Sequence, residues 1–238
     1  MNTKLYLALF CVAFFWGTTF LGIRIGVETI PPFLLAGIRN FISGFIILFY
    51  LISQKKLERV NLNQFSRALL VSILMIVLAN GLTTYAEKFI TSGLASLIST
   101  LSPFFVLVLN LLLGHEKLSV KTILGIFLGM LGIFLIYQSN LNDLLIPEYR
   151  GGIIAILFAV LAWAIGTIIT KKGSANSLTM LMNICIQMII ASVILISLQF
   201  YLTPNISTEN WSARSVYAMI YLALFGSVVG YVAFNYLI

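Results

Sequence analysis

The stretch Ala68–Lys88, ALLVSILMIVLANGLTTYAEK, begins as an apolar run and closes on polar side chains. A helix needs about 20 apolar residues to cross a bilayer, so the stretch reads as a membrane span. Its end is polar where lipid would disfavour polarity. On a helix, Asn80, Thr83, Thr84 and Glu87 fall at i, i+3, i+4 and i+7 and share one face. An ionisable group at a span's centre costs about 2.5–3.5 kcal/mol on insertion scales, so such a face turns to a bundle interior or a wet cavity. The stripe predicts a cavity wall, with Asn80, Thr83 and Thr84 binding polar groups of a solute and Glu87 binding a proton or an amine. Hydrogen bonding to neighbouring helices, at about 0.6 kcal/mol per bond, is the alternative. For Glu87, an interfacial ion pair with Lys88 stands equally open.

Composition extends that reading to the whole chain. Charged residues are 9% of the 238 and hydrophobic ones 61%, with a mean hydropathy of +1.07. Soluble domains carry about a quarter charged residues, so this is an integral membrane protein with the lipid bilayer as its surroundings. The net charge of +7 sits in loops between apolar runs, which excludes nucleic acid as a partner. Cys11 and Cys185 lie inside apolar runs, at no spacing that suggests a disulfide or a metal site. His115, beside Glu116, has no second His or nearby Cys to complete a metal site. Gly26 and Gly151-Gly152 open no phosphate-binding pattern. No enzyme and no cofactor is expected. Lys4 and the apolar residues after it resemble a signal peptide, but Trp16-Gly17-Thr18-Thr19-Phe20 carries the run on without a cleavage site, so it is read as the first span. Asn205-Ile206-Ser207 and Asn210-Trp211-Ser212 match glycosylation acceptors, which matter only in a secretory pathway.

Hydropathy and polar breaks predict an all-α, polytopic membrane helix bundle. Its eight spans are Leu5–Ile23, Phe33–Ser53, Ala68–Glu87, Gly93–Leu113, Thr122–Tyr137, Gly152–Thr170, Leu178–Leu202 and Val216–Ile238. A cytoplasmic N-terminus puts nine Lys and Arg residues on the inner side and four on the outer, leaving Arg39 within a span. That asymmetry fits the positive-inside rule. A single shift of 149 residues carries Gly17-Thr18 onto Gly166-Thr167, Ser43 onto Ser192 and Gly81 onto Gly230. It lays the first three spans on the sixth, seventh and eighth. A five-span repeat has an odd number of crossings, so its second copy enters from the opposite side, as in inverted-topology duplications. The expected division is 1–149, with five spans, and 150–238, with three.

Other candidate binding residues follow from spacing. Trp16 and Thr19, at i and i+3, aim a ring and a hydroxyl at one place, and Trp163 offers a second ring. Packing is the alternative for both rings. Arg39, a charge within the second span, requires partners or water. It binds a substrate carboxylate or donates to carbonyls at a helix end, with Glu28 or Glu87 as candidate partners. Ser227, Tyr231 and Asn235 recur every four residues in the eighth span, as Asn183 and Gln187 do in the seventh, where helix-to-helix bonding is the default. Ser92, Ser96, Ser99 and Pro103 share a face of the fourth span, with Pro103 as a break and hinge. Gly125, Gly129 and Gly132, and likewise Ala155, Ala159, Ala162 and Gly166, form small-residue faces for close helix packing, with a homodimer contact as one use.

Phe15-Trp16-Gly17-Thr18-Thr19-Phe20, Arg39 and the segment Ser92-Gly93-Leu94-Ala95-Ser96-Leu97-Ile98-Ser99 resemble motifs of EamA-type drug/metabolite transporters. Ser102-Pro103 and Gly114-His115-Glu116-Lys117-Leu118 continue the resemblance, which is most specific from Tyr85 to Ser119. It implies ten helices in two inverted five-helix repeats around a central cavity, usually for exporting amino acids or other small metabolites. Alternating access, with protons as a candidate coupling ion, is the expected mechanism. The chain ends after the eighth expected helix, so a truncated, non-transporting membrane fragment or assembly subunit is the alternative.

Overall fold

The computed structural model describes residues 3–114, 119–137, 146–172 and 178–237, and within them every regular element is helical. His115 and Glu116 lie outside these residues. Among the described residues, seven helices are long and apolar enough to cross a membrane: Thr3–Gly26, Pro32–Ser53, Leu62–Ala86, Ser92–Leu112, Pro147–Lys171, Met180–Leu202 and Ala213–Leu237. They coincide with seven of the eight expected spans. The expected fifth span is a helix of 18 residues, Val120–Tyr137, and is not one of those seven. The numbering of spans below keeps this helix as the fifth.

Local sequence sets the helix ends. Pro31-Pro32 opens the second span, where the first helical position needs no N–H donor. The third opens on a reciprocal cap, in which the Asn61 side chain accepts from Gln64 N while the Gln64 side chain accepts from Asn61 N. Thr91 and Ser212 cap the fourth and eighth spans through their hydroxyls. At the break in the fourth span, Leu101 N turns back to Ile98 O and a new helix starts at Ser102 with Pro103 in its first turn. The proline cannot donate to the preceding turn, which is why the break falls there.

Among the described residues, three spans widen into π-helical turns, at Val12–Trp16, Ile73–Asn80 and Leu222–Val229. Shifted by 149 residues, Ile73–Asn80 falls on Leu222–Val229. Carbonyls in the latter two segments accept hydrogen bonds from other spans. Met75 O takes the Tyr231 hydroxyl at 3.2 Å, Ala223 O the Ser43 hydroxyl at 2.8 Å, and Gly226 O the Trp16 indole N–H at 3.1 Å. Irregular backbone at membrane depth is tolerated where such partners satisfy it.

Small residues decide which helices meet. A Cβ on Gly37 or Gly44 would stand 2.6 Å from Ile196 Cγ1 or 2.9 Å from Ile189 Cγ1, so the second span lies hard against the seventh. Gly22 and Gly226 bring the first span onto the eighth, and Gly166 brings the sixth onto Met75 of the third. The same 149-residue shift carries the first–eighth pair onto the sixth–third pair and the second–seventh pair onto itself. The fourth span joins through Leu94, Ala95 and Ile98 against Ala155, Ile156 and Val160 of the sixth. The expected glycine face of the fifth helix is not used in this way, because a Cβ on Gly125, Gly129 or Gly132 would meet no atom within 4 Å. That helix exposes Phe127 and Leu128, as an element bordering lipid would.

Candidate functional site

A cavity of about 690 Å³ opens among the first, second, third, fourth, sixth and eighth spans. It lies at the π-helical and broken turns, since Val12, Ala13 and Trp16, then Ala79 and Asn80, then Gly226 come from the three widened segments. Ser99, Thr100, Ser102 and Pro103 come from the broken fourth span.

One wall is aromatic. The Trp16 and Trp163 rings meet edge to face at 5.2 Å, and Tyr231 lies 5.8 Å from the first and 6.0 Å from the second. Phe234 closes the cluster at 5.0 Å from Trp16 and 5.2 Å from Trp163. The Trp16 indole is pinned by its bond to Gly226 O, and the Tyr231 hydroxyl by its bond to Met75 O. Polar side chains line the cavity as well: Thr19, Asn80, Thr83, Ser96, Ser99 and Thr100, with Arg39. Thr19 and Ser99 donate to their own helices, at Trp16 O and Ala95 O, while the Asn80 side-chain oxygen Oδ1 is buried without a donor.

Nine of the twelve residues taken from the sequence as solute-binding candidates line this cavity: Trp16, Thr19, Arg39, Asn80, Thr83, Ser99, Pro103, Trp163 and Tyr231. Three do not. Thr84 is fully buried and turns its hydroxyl back to Asn80 O at 2.8 Å, on the side packed among helices. Asn235 donates to Tyr231 O at 2.9 Å, one turn past the cavity. Glu87 ends the third span one turn beyond Thr83, fully buried, with both carboxylate oxygens lacking a donor. Its side chain is not paired with the exposed Lys88. Arg24 holds this helix end from the first span, donating to the carbonyls of Glu87 at 2.5 Å, Lys88 at 3.2 Å and Ile90 at 3.4 Å. Arg39 is 2% exposed, and its Nε and Nη1 have no acceptor. Glu28, one of its expected partners, instead pairs with Arg214 at 3.9 Å on the surface.

Spacing missed Thr100 and Ser102 because they flank the break, where helical phase is lost. Pro103 was the available signal. It also missed Phe20 and Gly226, whose placement depends on the approach of the first and eighth spans.

The sequence profile of the EamA-like transporter family matches residues 3–138 and 150–238. The chain belongs to that family. "Uncharacterized inner membrane transporter YedA" of Escherichia coli K12 is 33% identical over 238 residues, an alignment covering 98% of this chain and 74% of YedA. "Uncharacterized transporter YoaV" of Bacillus subtilis is 25% identical across 93% of this chain and 75% of its own length. "Protein PagO" of Salmonella typhimurium is 31% identical across 92% of this chain and 71% of its own. One solved crystal structure superposes with a TM-score of 0.71 at 15% identity, covering 99% of this chain and 79% of that one, so the fold is shared with it. This EamA-like chain is therefore a multi-pass membrane protein of a transporter family, with a cavity where its spans depart from regular helix.

Proposed function

We propose that the chain is a secondary transporter that moves a small organic solute across a cell membrane by alternating access, with the cavity as its solute site. The observation that carries this is the cavity's position among six spans, at turns whose backbone is already irregular. Its volume lies in the range of small-molecule sites, and a lining that combines aromatic rings with hydroxyls, an amide and a guanidinium suits an amphipathic solute. The contact symmetry under the 149-residue shift supports two inverted repeats, residues 1–149 and 150–238, rocking about a midplane site. The excess of basic residues in alternate loops supports a cytoplasmic N-terminus in an inner or plasma membrane, and outward transport is the direction this reading takes.

Glu87 supports a proton as coupling ion, being a fully buried acid near the cavity without a hydrogen-bond donor. Arg39 and Arg24 are the cations whose fields reach it. The test is uptake into proteoliposomes holding the purified 238-residue protein, across a panel of labelled solutes and with imposed pH gradients. Saturable, competable uptake of at least one solute is expected, driven by a proton gradient in the wild type and indifferent to it in Glu87→Gln. Failure of every solute sinks the transport reading. A proton-driven response that survives Glu87→Gln sinks only the role of Glu87.

A further inference from the structure

We propose that the cavity takes a small organic anion, a monocarboxylate with an apolar or aromatic tail, and that Arg39 selects it. The proposal rests on reading the cavity as the solute site and deepens that reading from solute to charge class. Among the described residues that line the cavity, Arg39 is the charged one, and no Asp or Glu joins it. An anion entering the cavity therefore meets a fixed positive charge. An ammonium meets the same charge with no carboxylate on the wall to offset it.

The state of Arg39 sharpens the argument. The side chain is 2% exposed, and two of its nitrogens, Nε and Nη1, are buried without an acceptor. Guanidinium donors are arranged as a planar fork that matches the two oxygens of a carboxylate, and buried donors left unfilled are unfavourable. The nearest acid does not fill them. Both Glu87 oxygens also lack a partner, so the two groups interact through space without a hydrogen bond. The Tyr231 hydroxyl is committed to Met75 O. Arg39 lines the cavity, so a ligand carboxylate beside it would bring an acceptor to this under-satisfied guanidinium, while the rings of Trp16 and Trp163 take the tail.

Three probes share one ring and differ in the head group: 3-phenylpropionate, phenylalanine and 3-phenylpropanamide. Their binding to the full chain in lipid nanodiscs is measured near neutral pH by calorimetry and by tryptophan fluorescence, which the two cavity indoles report. The anion is expected to bind at least about tenfold more tightly than the amide, the loss expected when a hydrogen bond to a charged group goes unmade, and more tightly than the zwitterion, whose ammonium Arg39 repels. Arg39→Gln is expected to make the anion and the amide bind alike. The double variant Arg39→Gln with Glu87→Gln removes both buried charges together and reads the same preference if the single variant does not fold. Zwitterion or amide bound as tightly as the anion by the wild type overturns the proposal, as does an anion preference that survives loss of Arg39. An anion that binds but is never carried into proteoliposomes would sink the transport reading and leave the site standing. Carriage of cations or neutral solutes alone would do the reverse.

Discussion

At the residue scale, Gly230 shows how closely the aromatic wall is fitted. A Cβ there would overlap the Trp16 indole nitrogen and lie 2.7 Å from Cδ1 of the same ring. The ring has little room to retreat, being held by Trp163, Phe234 and its bond to Gly226 O. Gly230→Ala sets two effects against each other. Replacing a helical glycine gains roughly 0.5–1 kcal/mol, whereas overpacking a fitted site costs about 1–3 kcal/mol. The clash wins, and thermal unfolding in detergent should show a net loss of about 1–2 kcal/mol with a red or blue shift of tryptophan emission. Gly151→Ala, where an added Cβ meets nothing within 4 Å, should leave the melt unchanged or slightly raised. Equal melts for the two variants would mean that the ring moves freely.

At the element scale, the fourth span is two helices, Ser92–Ser99 and Ser102–Leu112, joined at residues that line the cavity. Pro103→Ala restores the missing N–H and favours one continuous helix. Solute should still bind with an affinity near that of the wild type while the transport rate falls several-fold, because a rigid span resists the change between open states. A matched drop in binding and rate would instead mark Pro103 as a wall residue only. The second and seventh spans make the opposite case, since their contact tolerates no added bulk. The Cβ of Gly37→Ala would meet not only Ile196 Cγ1 but also backbone, Ile196 N at 3.1 Å, and backbone cannot rotate away. We expect it to lower the midpoint of unfolding by an amount corresponding to about 1–3 kcal/mol. Gly132→Ala, which meets nothing within 4 Å, is its control. If Gly132→Ala is equally damaging, the fifth helix has a partner that this chain does not supply.

At the scale of the whole molecule, the arrangement in the membrane is open to chemical labelling. Ser207 lies in the loop after the seventh span and Gln54 follows the second, both exposed. With the native Cys11 and Cys185 replaced by alanine, Ser207→Cys should react with a membrane-impermeant maleimide in intact cells. Gln54→Cys should react only after lysis. The reverse pattern would overturn the cytoplasmic N-terminus.

What could be read without coordinates follows from which forces are local. Burying a span in lipid depends on its own composition, so seven of the eight expected spans, all but Thr122–Tyr137, could be read from hydropathy, apart from a few residues at each end. Helical spacing also placed Asn80 with Thr83, and Trp16 with Thr19, because each pair lies within one turn of one helix. The same spacing put Thr84 and Glu87 on the stripe, yet neither reaches the cavity, since a shared helix face does not say which neighbour covers each turn of it. Only the tertiary structure decided that. It brought Trp163 and Tyr231 to Trp16, gave Tyr231 the Met75 carbonyl as partner, and left Nε and Nη1 of Arg39 without an acceptor. The chain's composition determined a helical membrane protein with polar groups on certain faces. The approach of spans more than a hundred residues apart, set by glycines that let backbones touch and by widened turns that free carbonyls, determined which of those faces became a site.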